Sequence, residues 1–75
     1  MLSLDSRVKV ILNKDDYVIG FEEIEELING EVGYISDISN YIYPYSVTFE
    51  NDKIEEIMKN IPRVFSNTEL FILED

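Results

Sequence analysis

The run Tyr45-Ser46-Val47-Thr48-Phe49-Glu50 alternates apolar and polar residues without a break. A period of two puts Tyr45, Val47 and Phe49 on one face and Ser46, Thr48 and Glu50 on the other, the pattern of a half-buried strand. Pro44 stands at its start, where a missing N–H costs least. A lone strand or hairpin is not stable in water, so the rest of the chain must supply both pairing partners and cover. With 75 residues it must do so inside one small domain. A domain of that size buries only about 60% of the surface its unfolded chain exposes.

Other segments carry the same period. Val8, Val10 and Leu12 alternate with Lys9 and Ile11, predicting a first strand that ends at the turn formers Asn13-Lys14-Asp15-Asp16. Glu31 to Ser39 reads as a second strand with Val32, Ile35 and Ile38 as apolar positions. Their spacing of three breaks the alternation, and a bulge or bend at Gly33 would restore it. Arg63-Val64-Phe65 reads as a short fourth strand. Ser66-Asn67-Thr68-Glu69 reads as a tight turn or one turn of 3₁₀ helix, and Leu70–Leu73 as a fifth strand, with Glu74-Asp75 fraying.

Two segments switch to helical spacing. Phe21, Ile24, Leu27 and Ile28 mark one short amphipathic helix that Asn29-Gly30 would end with a left-handed residue. Ile54, Ile57, Met58 and Ile61 mark a second. Asp52 and Glu55 are placed for reciprocal capping of that helix, and Pro62 stops it. Five short strands in so small a chain do not make an ordinary two-layer sandwich. They are expected to curl into a small barrel, which also protects their edges. The fold expected is mainly β: a single domain over residues 1–75, a five-stranded barrel with one or two short inserted helices. Val8, Val10, Val32, Ile35, Tyr45, Val47, Phe49, Phe65, Leu70 and Ile72 are its expected core.

The order of elements resembles the SH3-like small barrels. The resemblance rests on Arg7-Val8-Lys9-Val10, Gly30-Glu31-Val32-Gly33-Tyr34-Ile35, Tyr43-Pro44-Tyr45-Ser46-Val47-Thr48-Phe49 and Phe65-Ser66-Asn67-Thr68-Glu69-Leu70. The Gly-x-Val-Gly-x-Ile portion is similar to the start of many KOW-type domains, and small phage and mobile-element proteins often share the layout. Leu12 to Gly30 would then correspond to the RT loop. The first strand lacks the Ala-Leu-Tyr-Asp-Tyr run of peptide-binding SH3 domains, and the chain has no Trp, so the usual polyproline groove is not implied.

Composition narrows the function. Sixteen acidic against 6 basic residues give a net charge of −10, with no His and no Cys. Disulfides, thiolate catalysis, Cys/His zinc sites and histidine acid–base chemistry are excluded. Too few cations are present to displace counterions from phosphates, so nucleic acid and anionic membranes are disfavoured partners. The N-terminus has no basic region followed by an apolar stretch, and the chain is expected to be cytoplasmic. No phosphate loop, dinucleotide fingerprint or EF-hand spacing occurs, so neither cofactor nor metal is expected. Adjacent carboxylates such as Asp15/Asp16 and Glu55/Glu56 point apart, and the serines have no evident base, so catalysis is not expected.

Three clusters remain. Glu22, Glu23, Glu25 and Glu26 put four negative charges on one helix, and docking of its apolar stripe would push them outward. They read as a surface for a basic partner, as in a DNA mimic, or as a solvated face that keeps the protein soluble. Tyr41, Tyr43 and Tyr45 alternate: Tyr45 belongs with the core face, while Tyr41 and Tyr43 read as loop packing, interface anchors or base-stacking groups. The Ile54/Ile57/Met58/Ile61 stripe reads as core or as a dimerising face. The expected function is a non-enzymatic protein-interaction module, an acidic accessory or inhibitor protein of the phage or mobile-element kind that binds a basic host protein. Glu22, Glu23, Glu25, Glu26, Tyr41 and Tyr43 are its candidate contact residues. A KOW-type domain that binds nucleic acid or the ribosome is the alternative.

Overall fold

The computed structural model describes residues 2–73; the fraying expected at Glu74-Asp75 lies outside them. Strand β1 (Arg7–Val10) is followed by a 3₁₀ turn (Lys14–Asp16) and helix α1 (Glu22–Ile28). Next come β2 (Val32–Ile38), β3 (Tyr45–Phe49) and helix α2 (Asp52–Met58). A second 3₁₀ turn (Asn67–Glu69) leads directly into β4 (Leu70–Ile72). The strands form one antiparallel sheet in the order β3-β2-β1-β4.

This corrects the expected five-stranded barrel: among the described residues the sheet has four strands and stays open. Arg63-Val64-Phe65 contributes a single bridge, Tyr45 to Phe65, rather than a strand. The reason is local. Pro62 has no N–H to give a ladder, and Arg63 N–H donates back to the Ile61 carbonyl at 2.8 Å. The chain turns again at Ser66, so only Phe65 has room to exchange both backbone hydrogen bonds with Tyr45, at 3.0 and 2.8 Å.

The register sorts side chains between two faces. Val8 lies opposite Gly33 and Gly33 opposite Phe49, while Val10 lies opposite Leu70; the apolar members of these pairs are buried. Arg7, Tyr34 and Thr48 line up across the other face, as do Lys9, Val32 and Phe71. The register shift lies between Ile35 and Asp37, not at Gly33. That placement decides Val32. Had the extra residue preceded Ile35, Val32 and Ile35 would share a face. With it after Ile35, they oppose each other, and Val32 sits with Lys9 on the outer face rather than in the expected core. Gly33 serves close approach instead: a Cβ there would stand 2.7 Å from Val47 Cγ1 and 3.1 Å from the Phe49 Cα.

Both helices cover the inner face. Ile28 of α1 and Ile54 and Met58 of α2 join Val8, Val10, Leu12, Ile35, Phe49, Phe65 and Leu70 in one buried cluster, with Tyr45 and Val47 packed against it. Ile72 is the second correction to the expected core. It pairs with Val8 in β4, the outermost strand, which among the described residues has no strand on its far side, and it stays half-exposed. Helix α2 begins one residue earlier than expected: Asn51 Oδ1 accepts from the N–H groups of Lys53 and Ile54, at 3.0 and 3.3 Å. Glu55 is thereby free to accept from the Phe49 N–H at 3.0 Å, tying the helix to β3. Gly30 ends α1 with φ +88°, as Asn29-Gly30 predicted. The Asn29 side chain accepts from Leu12 N–H at 2.9 Å and donates to the Tyr17 hydroxyl at 3.2 Å, fastening the long first connection to the helix.

Candidate functional site

Helix α1 presents its glutamates differently from the expected outward set. Phe21 is the N-cap, with φ −122° and ψ 16°, so it stands outside the helix and does not extend the apolar stripe. The inward positions are Ile24, Glu25, Leu27 and Ile28. Glu25, one helical turn before the fully buried Ile28, is itself only 1% exposed. The expectation that docking would push all four carboxylates outward is therefore corrected for Glu25. Glu22, Glu23 and Glu26 do face solvent, around a shallow depression with Tyr17 and Leu27. Glu22 accepts from the Gly20 N–H at 2.7 Å, and Glu26 accepts from the Tyr17 hydroxyl at 2.9 Å. Partial burial, then the bond to the Glu26 carboxylate, pushes the Tyr17 phenol above its ordinary pKa.

Glu25 meets Arg63, which the turn after α2 delivers from 38 residues away. Arg63 Nε donates to Glu25 Oε2 at 3.2 Å, and Nη2 donates to Glu69 Oε2 at 3.0 Å. Nη1 donates to the Val64 carbonyl. The guanidinium carbon lies 4.5 Å from the centroid of the Phe65 ring, a cation–π arrangement. Glu69 is fixed from its other side, Oε1 accepting from the Ser66 N–H at 2.9 Å. Every oxygen of Glu69 thus has a donor. Glu25 does not match it: Oε1 is buried without a hydrogen-bond partner. Two carboxylates share one guanidinium, so the cluster keeps one negative charge where water is scarce.

This cluster floors a cavity of about 550 Å³. Val18, Phe21 and Ile24 form the wall on the α1 side, and Ile61, Pro62 and Val64 the wall after α2. Tyr43, in the loop between β2 and β3, also lines the cavity. A smaller cavity of about 320 Å³ lies behind, and Asp16, Glu25, Arg63, Thr68 and Glu69 border both. The structure therefore brings Tyr43 to Glu25, while Glu22, Glu23 and Glu26 lie around the separate depression. Tyr41 is 82% exposed, and its neighbour Ile42, which the sequence reading passed over, is 89% exposed. Ile19, also passed over, is 91% exposed beside Val18. Arg63 lies in a segment with strand-like residues; the helical position of Glu25 relative to Ile28 signals its burial, but no local pattern links it to Arg63.

Among the described residues, no group of three or more carboxylates is placed to hold a metal ion, and no helix is long and apolar enough to cross a membrane. Comparison with protein families, curated proteins and solved structures finds no match to this chain.

Proposed function

We propose that this chain is a non-enzymatic protein-interaction module that holds a basic protein partner at the cavity end of the fold, and that it acts in the cytoplasm. The observation that carries the reading is the joint placement of apolar rim and acidic floor. Val18, Phe21, Tyr43 and Val64 are all substantially exposed and all border the cavity whose floor holds Glu25 and Glu69. Large exposed apolar side chains gathered in one place are the usual mark of a contact surface, and tyrosine supplies contact area at low entropic cost. The net charge of −10 selects a basic partner and speeds its approach. An accessory or inhibitor role, occupying the basic surface of a target, follows from that chemistry.

The test is affinity capture with the parent and with a Tyr41→Ser, Ile42→Ser, Tyr43→Ser variant side by side. The expected result is a basic protein retained by the parent, released as salt rises, and lost by the variant. Retention of the same protein by both would move the interface elsewhere. Tight binding of DNA or RNA in a low-salt gel shift would replace this reading with the nucleic-acid one.

A further inference from the structure

We infer that the cavity bordered by Glu25 is a socket for one lysine or arginine side chain of the partner; this rests on the interaction reading above and names what that surface grips. The ion cluster is incomplete in a specific sense. Arg63 has donors on Glu25, Glu69 and the Val64 carbonyl, and Glu69 has a donor on each oxygen. Glu25 Oε1 alone has none, although the residue is 1% exposed. A buried acceptor without a donor is costly, and a buried cluster with excess negative charge is costlier. One added cation corrects both defects.

The surroundings suit an organic cation. Asp16 joins Glu25 and Glu69 around the space, against the single positive charge of Arg63. The carboxylates are not grouped as a metal ion requires, since a hard cation wants several oxygens at once. A lysine or arginine needs less: a charged head that meets one or two acceptors, and apolar walls for its methylene stem. Phe21, Ile24, Tyr43 and Ile61 supply such walls. Glu25 borders the cavity, and because the terminal torsion of a glutamate is broad its carboxylate can turn to meet an entering donor. A polypeptide source fits better than a free amine because Ile19 and Ile42, the chain neighbours of the lining residues Val18 and Tyr43, are almost fully exposed, as is Tyr41, and a small molecule would leave them uncovered.

The probe is Nα-acetyl-arginine methylamide, titrated into the whole chain and followed by amide NMR, with the uncharged citrulline counterpart as control. Saturable shifts at Phe21, Glu25, Arg63 and Val64 are expected with the arginine probe, and binding about tenfold or more weaker with citrulline. Glu25→Gln keeps the shape but removes the charge and is expected to remove most of the difference between the probes. Asp16→Asn, at an exposed position that does not hold the fold, is expected to weaken the arginine probe about two- to threefold. Equal response to the two probes, or arginine shifts only around Glu22, Glu23 and Glu26, would overturn the socket. If the rim variant still loses a basic partner while the arginine probe leaves the cavity unmoved, the socket falls and the interaction reading stands. If neither the rim nor the probe has an effect, both fall.

Discussion

Phe49 and Phe21 are the same side chain in opposite situations. Phe49 lies on the inner face of the sheet, opposite Gly33, and is almost completely buried. Phe21 stands at the end of α1 on the wall of an open cavity and is half-exposed. The difference separates two regions. Under the sheet, apolar groups pack on one another, and each helps to hold the fold. Around the cavity, apolar groups meet solvent and a charged floor, and they contribute little to folding. Surface that does not stabilise the fold is where a protein this small can place a function.

The largest effect expected from this comparison is in the first region. Phe49→Ala should cost about 3–5 kcal/mol in denaturant unfolding, a large part of the stability of such a domain, whereas Phe21→Ala should stay within about 0.5 kcal/mol. Equal costs would erase the distinction. The floor of the cavity behaves like the core in one respect, because Glu25 is out of water and Arg63 and Glu69 are mostly buried. Arg63→Met strands the Glu25 carboxylate and should cost about 3 kcal/mol, and adding Glu25→Leu should restore much of the loss. If the double variant is no better than the single one, the ion pair is not the reason Arg63 matters. Gly33→Ala comes next, at about 1–3 kcal/mol, because the new Cβ crowds Val47 and the β3 backbone.

The alternation of Val8, Val10, Val47 and Phe49 made the inner face of the sheet legible in the sequence. Ile54 and Met58 were equally legible from helical spacing. Val32 was not, because an apolar spacing of three leaves open on which side of Ile35 the extra residue sits, and only pairing with β1 and β3 decides it. The missing fifth strand has a similar cause. Arg63-Val64-Phe65 has strand-like residues, but Pro62 and the turn at Ser66 leave it one bridge long. Of the candidate site, the acidity of α1 was visible, while the tyrosine spacing alone left open whether Tyr41 and Tyr43 pack into a loop or stand exposed. The meeting of Glu25 with Arg63 was not, since it joins residues 38 apart whose local patterns say nothing of each other.

Smaller effects sharpen the contrast between fold and function. Tyr41→Ser, Ile42→Ser and Tyr43→Ser should each shift stability by no more than about 0.5 kcal/mol, while the three together remove the partner. The smallest effect belongs to the outer face of the sheet. There Arg7 holds Glu50 with two hydrogen bonds, at 2.8 and 3.0 Å. The hydrogen bond from Arg7 pulls the Glu50 carboxyl below its ordinary pKa. A lowered carboxyl pKa adds stability above the unfolded-state value, and that increment is lost as pH falls through the folded-state value. Glu50→Gln should therefore flatten the acid limb of a stability–pH curve slightly and leave the neutral and alkaline parts in shape. An unchanged acid limb would show the pair to be too solvated to matter.

On the proposed reading the cavity end, and not another face, meets the partner. Photo-crosslinking in cells tests it most directly, with a crosslinking amino acid placed once at Tyr43 and once at Tyr34. Both positions are exposed, but Tyr43 borders the cavity, whereas Tyr34 lies on the outer face of the sheet. The account predicts a discrete crosslinked product with a basic protein from position 43 and none from position 34. A product from position 34 with none from position 43 would contradict it.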